Sequence, residues 1–158
     1  MKGIHPRTAD APTVRKLRNL LPPVALTALK AIQKTKVCPK GFDFFLEGQS
    51  PLGIYILYAG RVELSVTDIH GRQMVLGLAL PGDVLGLSAV VSGKNHEETA
   101  EAAVPSQTGF IKCNDFLHFL NHHPEAAFWV VQLLSEQVTA TLDQFSCIKH
   151  TPSREARQ

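Results

Sequence analysis

Short apolar runs separated by glycine-containing turns fill the middle of the chain, from residue 34 to residue 113. In several of these runs apolar and polar residues alternate, as where Val62, Leu64 and Val66 are separated by polar neighbours. A repeat of two residues is typical of a strand with one buried face. Because turns recur about every 8–12 residues, the pattern predicts an antiparallel sandwich or barrel.

The predicted strands follow these runs. Two of them are expected to present a single apolar face, with Phe42, Phe44 and Leu46 on the first and Met74, Leu76, Leu78 and Leu80 on the second. The other predicted strands cover 54–58, 62–67, 100–103 and 108–113.

Helical spacing of apolar residues occurs on both sides of this region. Residues 22–33 are predicted to form an amphipathic helix that begins with two prolines, which a first helical turn tolerates. After residue 113 a short helix is predicted, capped by Asn114 or Asp115. Pro124 is predicted to open a longer helix that ends at about residue 148.

Six residues of the long helix follow the spacing of a coiled-coil seam: Val131, Leu134, Val138, Thr141, Phe145 and Ile148. This spacing predicts a dimer in which the helix pairs with its copy. A helix packed only on its own sheets would use one stripe of the same width. Val130, Leu133 and Leu142 lie off the seam and are expected to face the sheets, so both contacts have residues to form them.

Composition indicates one folded domain, since 44% of the 158 residues are hydrophobic and 19% are charged. No apolar run has the length of a membrane span, and the first residues do not form a secretory signal. Cys38, Cys113 and Cys147 lie far apart, which favours isolated thiols in a reducing cytoplasm over a disulfide framework or a metal site. We therefore expect a cytoplasmic protein with no membrane contact.

The net charge of +2 hides an uneven distribution. Residues 1–20 carry five basic side chains and one acidic one, whereas residues 21–148 carry eight basic and twelve acidic ones. DNA-binding domains usually carry a basic patch on the folded surface. The acidic body is therefore a poor candidate for binding DNA by itself.

The sequence gives no support for a catalytic site. The chain has no Gly-x-Ser-x-Gly, Walker or paired-carboxylate pattern, so no catalytic residue is assigned. It has no His-x-His pair of the kind that binds metal in cupins, and His118, His122 and His123 are expected to be exposed or capping residues. A metal-dependent, cupin-like enzyme is kept as a third alternative, with no metal ligand assigned.

Five short motifs occur in order along the chain: Pro39-Lys40-Gly41, Glu47-Gly48-Gln49, Gly60-Arg61-Val62-Glu63-Leu64-Ser65, Pro81-Gly82-Asp83-Val84-Leu85-Gly86 and Thr99-Ala100-Glu101-Ala102. With the flanking helices, over about residues 22–150, this order resembles the cyclic-nucleotide-binding sensor domain of the cyclic-AMP receptor protein and fumarate–nitrate regulator (Crp/Fnr) family. The resemblance implies a mainly β fold with flanking helices. It consists of an antiparallel jelly-roll (double-stranded β-helix) sensor domain and a long C-terminal dimerisation helix, followed by a DNA-binding helix-turn-helix.

The resemblance also implies where a ligand binds. The contacts fall on a pocket helix expected over residues 85–91 and on a second short segment, and they are Gly86, Leu87, Ser88, Ala89, Glu98, Thr99 and Ala100. Helix amides would face a cyclic phosphate. The family pattern has Glu where this chain has Leu87 and Arg where it has Glu98. A carboxylate repels phosphate, so we expect cyclic AMP to bind weakly or not at all.

Three interpretations of the pocket stay open. It binds another small effector through Ser88 and Thr99, although these hydroxyls could equally make local backbone bonds. It binds cyclic nucleotides weakly, with Lys94 or His96 in place of the Arg. Or it is vestigial and filled by Leu87. Residues 94–96 are expected to be a mobile loop tip, and Glu97 and Glu98 to be solvated charges.

The predicted organisation has four parts. They are a basic segment (1–21), the jelly roll with flanking helices (22–123), the long dimerisation helix (124–150), and the start of a missing DNA-binding domain or a tail (151–158). The ten residues after Ile148 are too few for a helix-turn-helix. The sequence thus predicts the effector-sensing, dimerising domain of a Crp/Fnr-like regulator that binds DNA only through an element absent from this chain. The alternative is a stand-alone interaction or scaffold domain with a vestigial pocket.

Overall fold

The computed structural model describes residues 20–150, with the side chains of residue 141 and residues 144–150 excepted. Most of the predicted basic segment (1–21) and the predicted tail (151–158) lie outside the described residues. Thr141, Phe145 and Ile148 of the predicted seam are described only as parts of a helical backbone.

Eight strands and four helices make up the described chain. The helices are α1 (Pro23–Ile32), α2 (Leu87–Ser92), α3 (Cys113–His122) and α4 (Pro124–His150). The strands are β1 (Lys34–Cys38), β2 (Asp43–Phe45), β3 (Gly53–Ala59), β4 (Val62–Thr67), β5 (Gln73–Ala79), β6 (Val84–Leu85), β7 (Thr99–Ala102) and β8 (Ser106–Lys112).

All strand pairs are antiparallel and form two four-stranded sheets. The first sheet has the order β1-β8-β3-β6 and the second has the order β2-β7-β4-β5. Each sheet therefore joins strands that are distant in sequence, as a jelly roll requires. The prediction of a mainly β, antiparallel fold with flanking helices is confirmed.

Two cores lie on opposite faces of strand β3. Its residues Ile54 and Ile56 pack in a helix-side core with residues of all four helices. Its residues Tyr55 and Leu57 face the inside of the roll, where Phe44 and Phe45 are also buried. Because successive side chains of a strand point to opposite faces, β3 is apolar throughout rather than alternating.

β-Bulges change two of the predicted strand faces. In β2 the register shifts between Asp43 and Phe45, so Phe44 and Phe45 are both buried while Leu46 is exposed. The predicted face of Phe42, Phe44 and Leu46 is therefore wrong. A bulge inserts one extra residue into a strand and moves every following side chain to the other face.

The predicted single face of Met74, Leu76, Leu78 and Leu80 is also wrong. Met74 lies opposite Val66 and Leu78 lies opposite Glu63, and these two β4 residues, three positions apart, point to opposite faces of the strand. The register shifts between these two pairs. Leu80 follows the end of the strand.

Element boundaries differ from the predictions at three places. The sequence pattern did not predict β1 or β6. Leu85 belongs to β6, so the pocket helix begins at Leu87 with Gly86 as its N-cap. Helix α3 begins at Cys113 and has no side-chain cap, so the predicted capping by Asn114 or Asp115 is wrong.

The long helix confirms one predicted contact and corrects another. Val130 and Leu133 are buried in the helix-side core, together with Trp129, as expected of residues that face the roll. Leu142 was expected on the same side, but 60% of it is exposed. On a helix it falls within about 40° of Val131 and Val138, so it extends the outward face instead.

Trp129 and Phe128 provide a matched test of the helix-side core. Trp129 is almost fully buried, whereas its neighbour Phe128 is 66% exposed. We expect Trp129→Ala to lower the free energy of unfolding by about 3–5 kcal/mol, because it leaves a cavity. At concentrations where the chain is monomeric, Phe128→Ala should change it by less than about 0.5 kcal/mol, since little packing within the chain is lost. Urea denaturation of both variants checks this, and equal losses would contradict the placement of α4.

Candidate ligand-binding site

The pocket helix is held by both cores through residues on either side of Gly86. Leu85 is buried in the roll core, and Leu87 is buried in the helix-side core. The chain crosses between the cores at Gly86, whose φ of 80° lies in the left-handed region that favours glycine. The chain reverses its direction sharply at Gly86, and this allows Leu85 and Leu87, on either side of it, to be buried in different cores.

The predicted contact residues differ in their exposure. In the first segment Leu87 and Ala89 are buried, Gly86 is half-buried and Ser88 is exposed. In the second segment Glu98 and Thr99 are half-buried and Ala100 is buried in the roll core. Leu87 belongs to the helix-side core and not to the core inside the roll.

Thr99, the first residue of β7, makes a contact with the backbone just after β2, which is the neighbour of β7 in the same sheet. Its hydroxyl oxygen accepts a hydrogen bond of 2.9 Å from the amide of Glu47. The Glu47 carboxylate in turn accepts one of 2.9 Å from the amide of Thr67. The hydroxyl of Thr99 can still donate, so it remains able to contact a ligand while fixing the loop after β2.

Glu98 is not the solvated charge that the sequence suggested. It is half-buried, whereas Glu97 is exposed. Burial raises the pKa of the Glu98 carboxyl, and the neighbouring charge of Glu97 raises it further. The site therefore carries a carboxyl group that is partly shielded from water, and at low pH that group becomes neutral and able to donate a hydrogen bond.

His96 also differs from its expected place at a mobile loop tip. Its side chain is buried and stacks on the ring of Phe45, with 3.8 Å between ring centroids and 7° between planes. Burial lowers the pKa of the imidazole, which is therefore neutral at pH 7. A neutral ring supplies no fixed positive charge for a phosphate.

The described structure has a small cavity beside this stack. Its volume is about 20 Å³, which is room for roughly one water molecule. The lining residues are aromatic on one side and polar on the other: Phe44, Phe45, Gln49, Ser50, Leu52, Gly53, Tyr55 and His96. A ligand larger than water would need the loop that carries His96 to move.

Sequence reasoning named His96 only as a possible replacement for the Arg, and it missed the stacking of His96 on Phe45. The two residues are 51 positions apart and belong to no motif. An indication was nevertheless present, because Phe45 breaks the alternation that Phe42, Phe44 and Leu46 suggest. A second aromatic residue next to a predicted inward one is a reason to look for a bulge.

Among the residues whose side chains the structure describes (20–140, 142 and 143), no three His, Cys, Asp or Glu side chains lie together as metal ligands would. His118 and His122 are exposed on α3, where the His118 carbonyl lies 2.9 Å from the His122 ring nitrogen. Burial raises the pKa of the Cys38 and Cys113 thiols. No helix within the described range is both long and apolar enough to cross a bilayer.

Comparison with known proteins identifies the family. The family model described as "Cyclic nucleotide-binding domain" matches residues 35–123, which is more than half of the chain. The chain belongs to the cyclic nucleotide-binding domain family. The matched region runs from β1 to the end of α3 and so contains both sheets and the pocket helix.

Two curated relatives cover different shares of the chain. The "Cyclic AMP receptor protein" of Thermus thermophilus is 23% identical over 111 residues, which are 70% of this chain and 51% of that protein. "Patatin-like phospholipase domain-containing protein 7" of Rattus norvegicus is 28% identical over 102 residues, 60% of this chain and 8% of that protein. The chain therefore spans only a part of each relative.

Known structures show the same fold. The catabolite activator protein of Thermus thermophilus superposes with a TM-score of 0.73 at 19% identity, over 85% of this chain and 62% of that one. The sensor domain of the transcriptional regulator DNR from Pseudomonas aeruginosa gives 0.65 at 24% identity, over 81% and 86%. At these identities the superpositions establish the jelly-roll fold alone.

Gly86 and Gly71 allow a test of how crowded the site is. Both have a positive φ, but a Cβ at Gly71 would meet open space, whereas one at Gly86 would lie 3.2 Å from the His96 ring. We expect Gly71→Ala to cost about 1–2 kcal/mol from backbone strain alone. Gly86→Ala should cost more, because His96 and Phe45 must also shift. Thermal unfolding of the two variants measures the difference, and equal losses would show that Gly86 is not crowded.

Proposed function

We propose that this chain is the effector-sensing module of a Crp/Fnr-like regulator, and that its effector is not held by the usual contacts to a cyclic phosphate. The observation that carries the proposal is the half-buried carboxyl of Glu98 at the position where the resemblance implies Arg. A ligand that binds there meets a carboxyl acceptor, or at low pH a donor. Cyclic AMP would lose a charge-assisted bond and meet repulsion instead.

The position of Leu87 supports the same proposal. It is buried in the helix-side core, so it offers no contact to a ribose hydroxyl. It also lies away from the roll interior, which speaks against a vestigial pocket that Leu87 fills. Ser88, which is exposed, and Thr99 are the hydroxyl groups that we assign to effector contacts.

Exchange of the charge at Glu98 tests this proposal. We expect Glu98→Arg to raise the affinity for cyclic AMP by about 10–150-fold, since a charge-assisted hydrogen bond contributes about 1.5–3 kcal/mol. Glu97→Arg is the matched control, because it makes the same charge change at an exposed neighbour and should have little effect. Calorimetric titration with cyclic AMP, cyclic GMP and a cyclic dinucleotide gives the affinities. Micromolar binding of cyclic AMP by the unchanged protein would overturn the proposal.

We further propose that two copies pair through the outward face of α4. On this face Phe128, Val131, Val138 and Leu142 are each more than half exposed, and they lie opposite the buried Trp129 and Leu133. Leu134 stands at its edge and packs partly on the helix-side core. Four exposed apolar side chains in one stripe mark a surface that gains from burial against a partner.

Sedimentation of two neighbouring variants tests the pairing. Val138→Glu places a charge within the apolar stripe and should convert a dimer into a monomer. Ala140→Glu adds the same side chain at an exposed position about 160° away around the helix and should leave the dimer intact. If both variants sediment like the unchanged protein, α4 is not the interface.

The second candidate function, an interaction domain with no effector, is favoured by the same apolar stripe. The cyclic-nucleotide titrations and the Glu98→Arg variant distinguish the two candidate functions. A dimer that binds none of the three cyclic nucleotides, and whose Glu98→Arg variant gains no affinity, would favour the interaction domain. A gain of affinity in that variant favours a working pocket.

A further inference from the structure

Four hydrogen bonds join the loop between β2 and β3 to the segment between α2 and β7 and to Thr99, the first residue of β7. Two connect backbones: Gly48 donates to the carbonyl of His96 at 2.8 Å, and His96 donates to the carbonyl of Gln49 at 2.9 Å. The Thr99 hydroxyl oxygen accepts from the Glu47 amide at 2.9 Å, and Ser50 donates to the Asn95 side chain at 3.3 Å. These four hydrogen bonds therefore hold the two loops against each other.

Between the two hydrogen-bonded loops, the His96 side chain is buried. Only 5% of His96 is exposed, and its ring stacks on Phe45. Its Cε1 lies 3.2 Å from where a Cβ of Gly86 would be, so the ring also sits against the N-cap of α2. The same ring therefore touches the β2 strand and the start of the pocket helix.

We propose that His96 is a latch whose seated ring holds the segment between α2 and β7 on the roll, and whose release frees the Gly86 end of the pocket helix. The proposal rests on the function proposed above in one respect, that Glu98 of this segment and Thr99 directly after it contact the effector. The latch itself is a property of the unliganded chain.

Charge around His96 favours release when the ring becomes protonated. Tyr55, from β3, borders the same cavity, and burial raises the pKa of its hydroxyl, so it is neutral. Glu47, from the β2–β3 loop, directs its carboxylate to the amide of Thr67. Glu97 is exposed, and Glu98, two residues away, has a carboxyl whose pKa burial raises. Burial, which lowers the His96 pKa, is therefore not offset by a facing carboxylate.

The sign of the pH dependence follows from this lowered pKa. In the released segment His96 titrates near 6.5, its ordinary value, and in the seated state below it. The latch is therefore at full strength above about pH 6.5 and weakens as the pH falls through that value toward the seated pKa. An effector that prefers the released segment would be bound more tightly in acid.

Hydrogen exchange tests the latch without any effector. We expect the protection factors of the Gly48 and His96 amides to fall by up to about tenfold between pH 7.5 and pH 5.5. The Ala102 amide, which bonds to the Phe42 carbonyl across two strands, should stay protected and serves as the internal reference. In His96→Gln the dependence on pH should vanish. Because His70 is exposed in the β4–β5 turn, His70→Gln should behave like the unchanged protein.

Rescue by free imidazole tests the stacking site separately. His96→Ala should lower the melting temperature at pH 8, and added imidazole should restore part of the loss by filling the empty place on Phe45. His70→Ala, which empties no buried place, should not respond. Protection at Gly48 that does not change with pH, or a melting temperature of His96→Ala that imidazole leaves unchanged, would overturn the latch. Either result leaves the proposed function to be judged by the cyclic-nucleotide titrations alone.

Discussion

Burial of strand β3 on both faces is the constraint on which the rest of the structure depends. Ile54 and Ile56 face the helices and Leu57 faces the roll interior, and all three are fully buried. A strand in that position needs apolar residues throughout and neighbours on both edges, which β8 and β6 provide. Removing the cover from either face would expose about half of a continuous apolar surface, so neither core is independent of the other.

The same constraint determines what the pocket helix can present to a ligand. β6 pairs with β3, and the chain must then leave the sheet and cover the helix side of β3 within two residues. Leu85 is buried in the roll core and Leu87 in the helix-side core, and Gly86 between them allows the backbone to reverse its direction. A carboxylate at position 87 would have to leave water for the helix-side core, which is costly for an unpaired charge. Leucine at this position is thus explained by packing, with no reference to a ligand.

Local periodicity predicted the elements whose side chains alternate regularly. The β4 alternation and the switch to helical spacing at Pro124 both appear in the structure at close to their expected bounds. The bulge in β5 could not be predicted in this way, because an inserted residue is visible only in the pairing with another strand, and in β2 the extra aromatic residue Phe45 was the only local indication. For the candidate site, the motif order pointed to Gly86 and Thr99, whose binding roles stay predictions. The position of His96 depends on hydrogen bonds with a loop about 50 residues earlier in the chain. The sequence of these two polar loops does not indicate that they contact each other.

The place of the pocket helix also connects the ligand region to the long helix. Leu87 and Val90 of α2 belong to the same core as Trp129, Val130 and Leu133 of α4. Protein cores are packed as densely as organic crystals, so moving Leu87 outward leaves a void unless its neighbours follow. The side of α4 that would respond is the one opposite its exposed apolar stripe. Residues of the pocket helix and of α4 therefore share one contiguous core, so a displacement of Leu87 has to be accommodated by the residues that bury Trp129 on the inner side of α4.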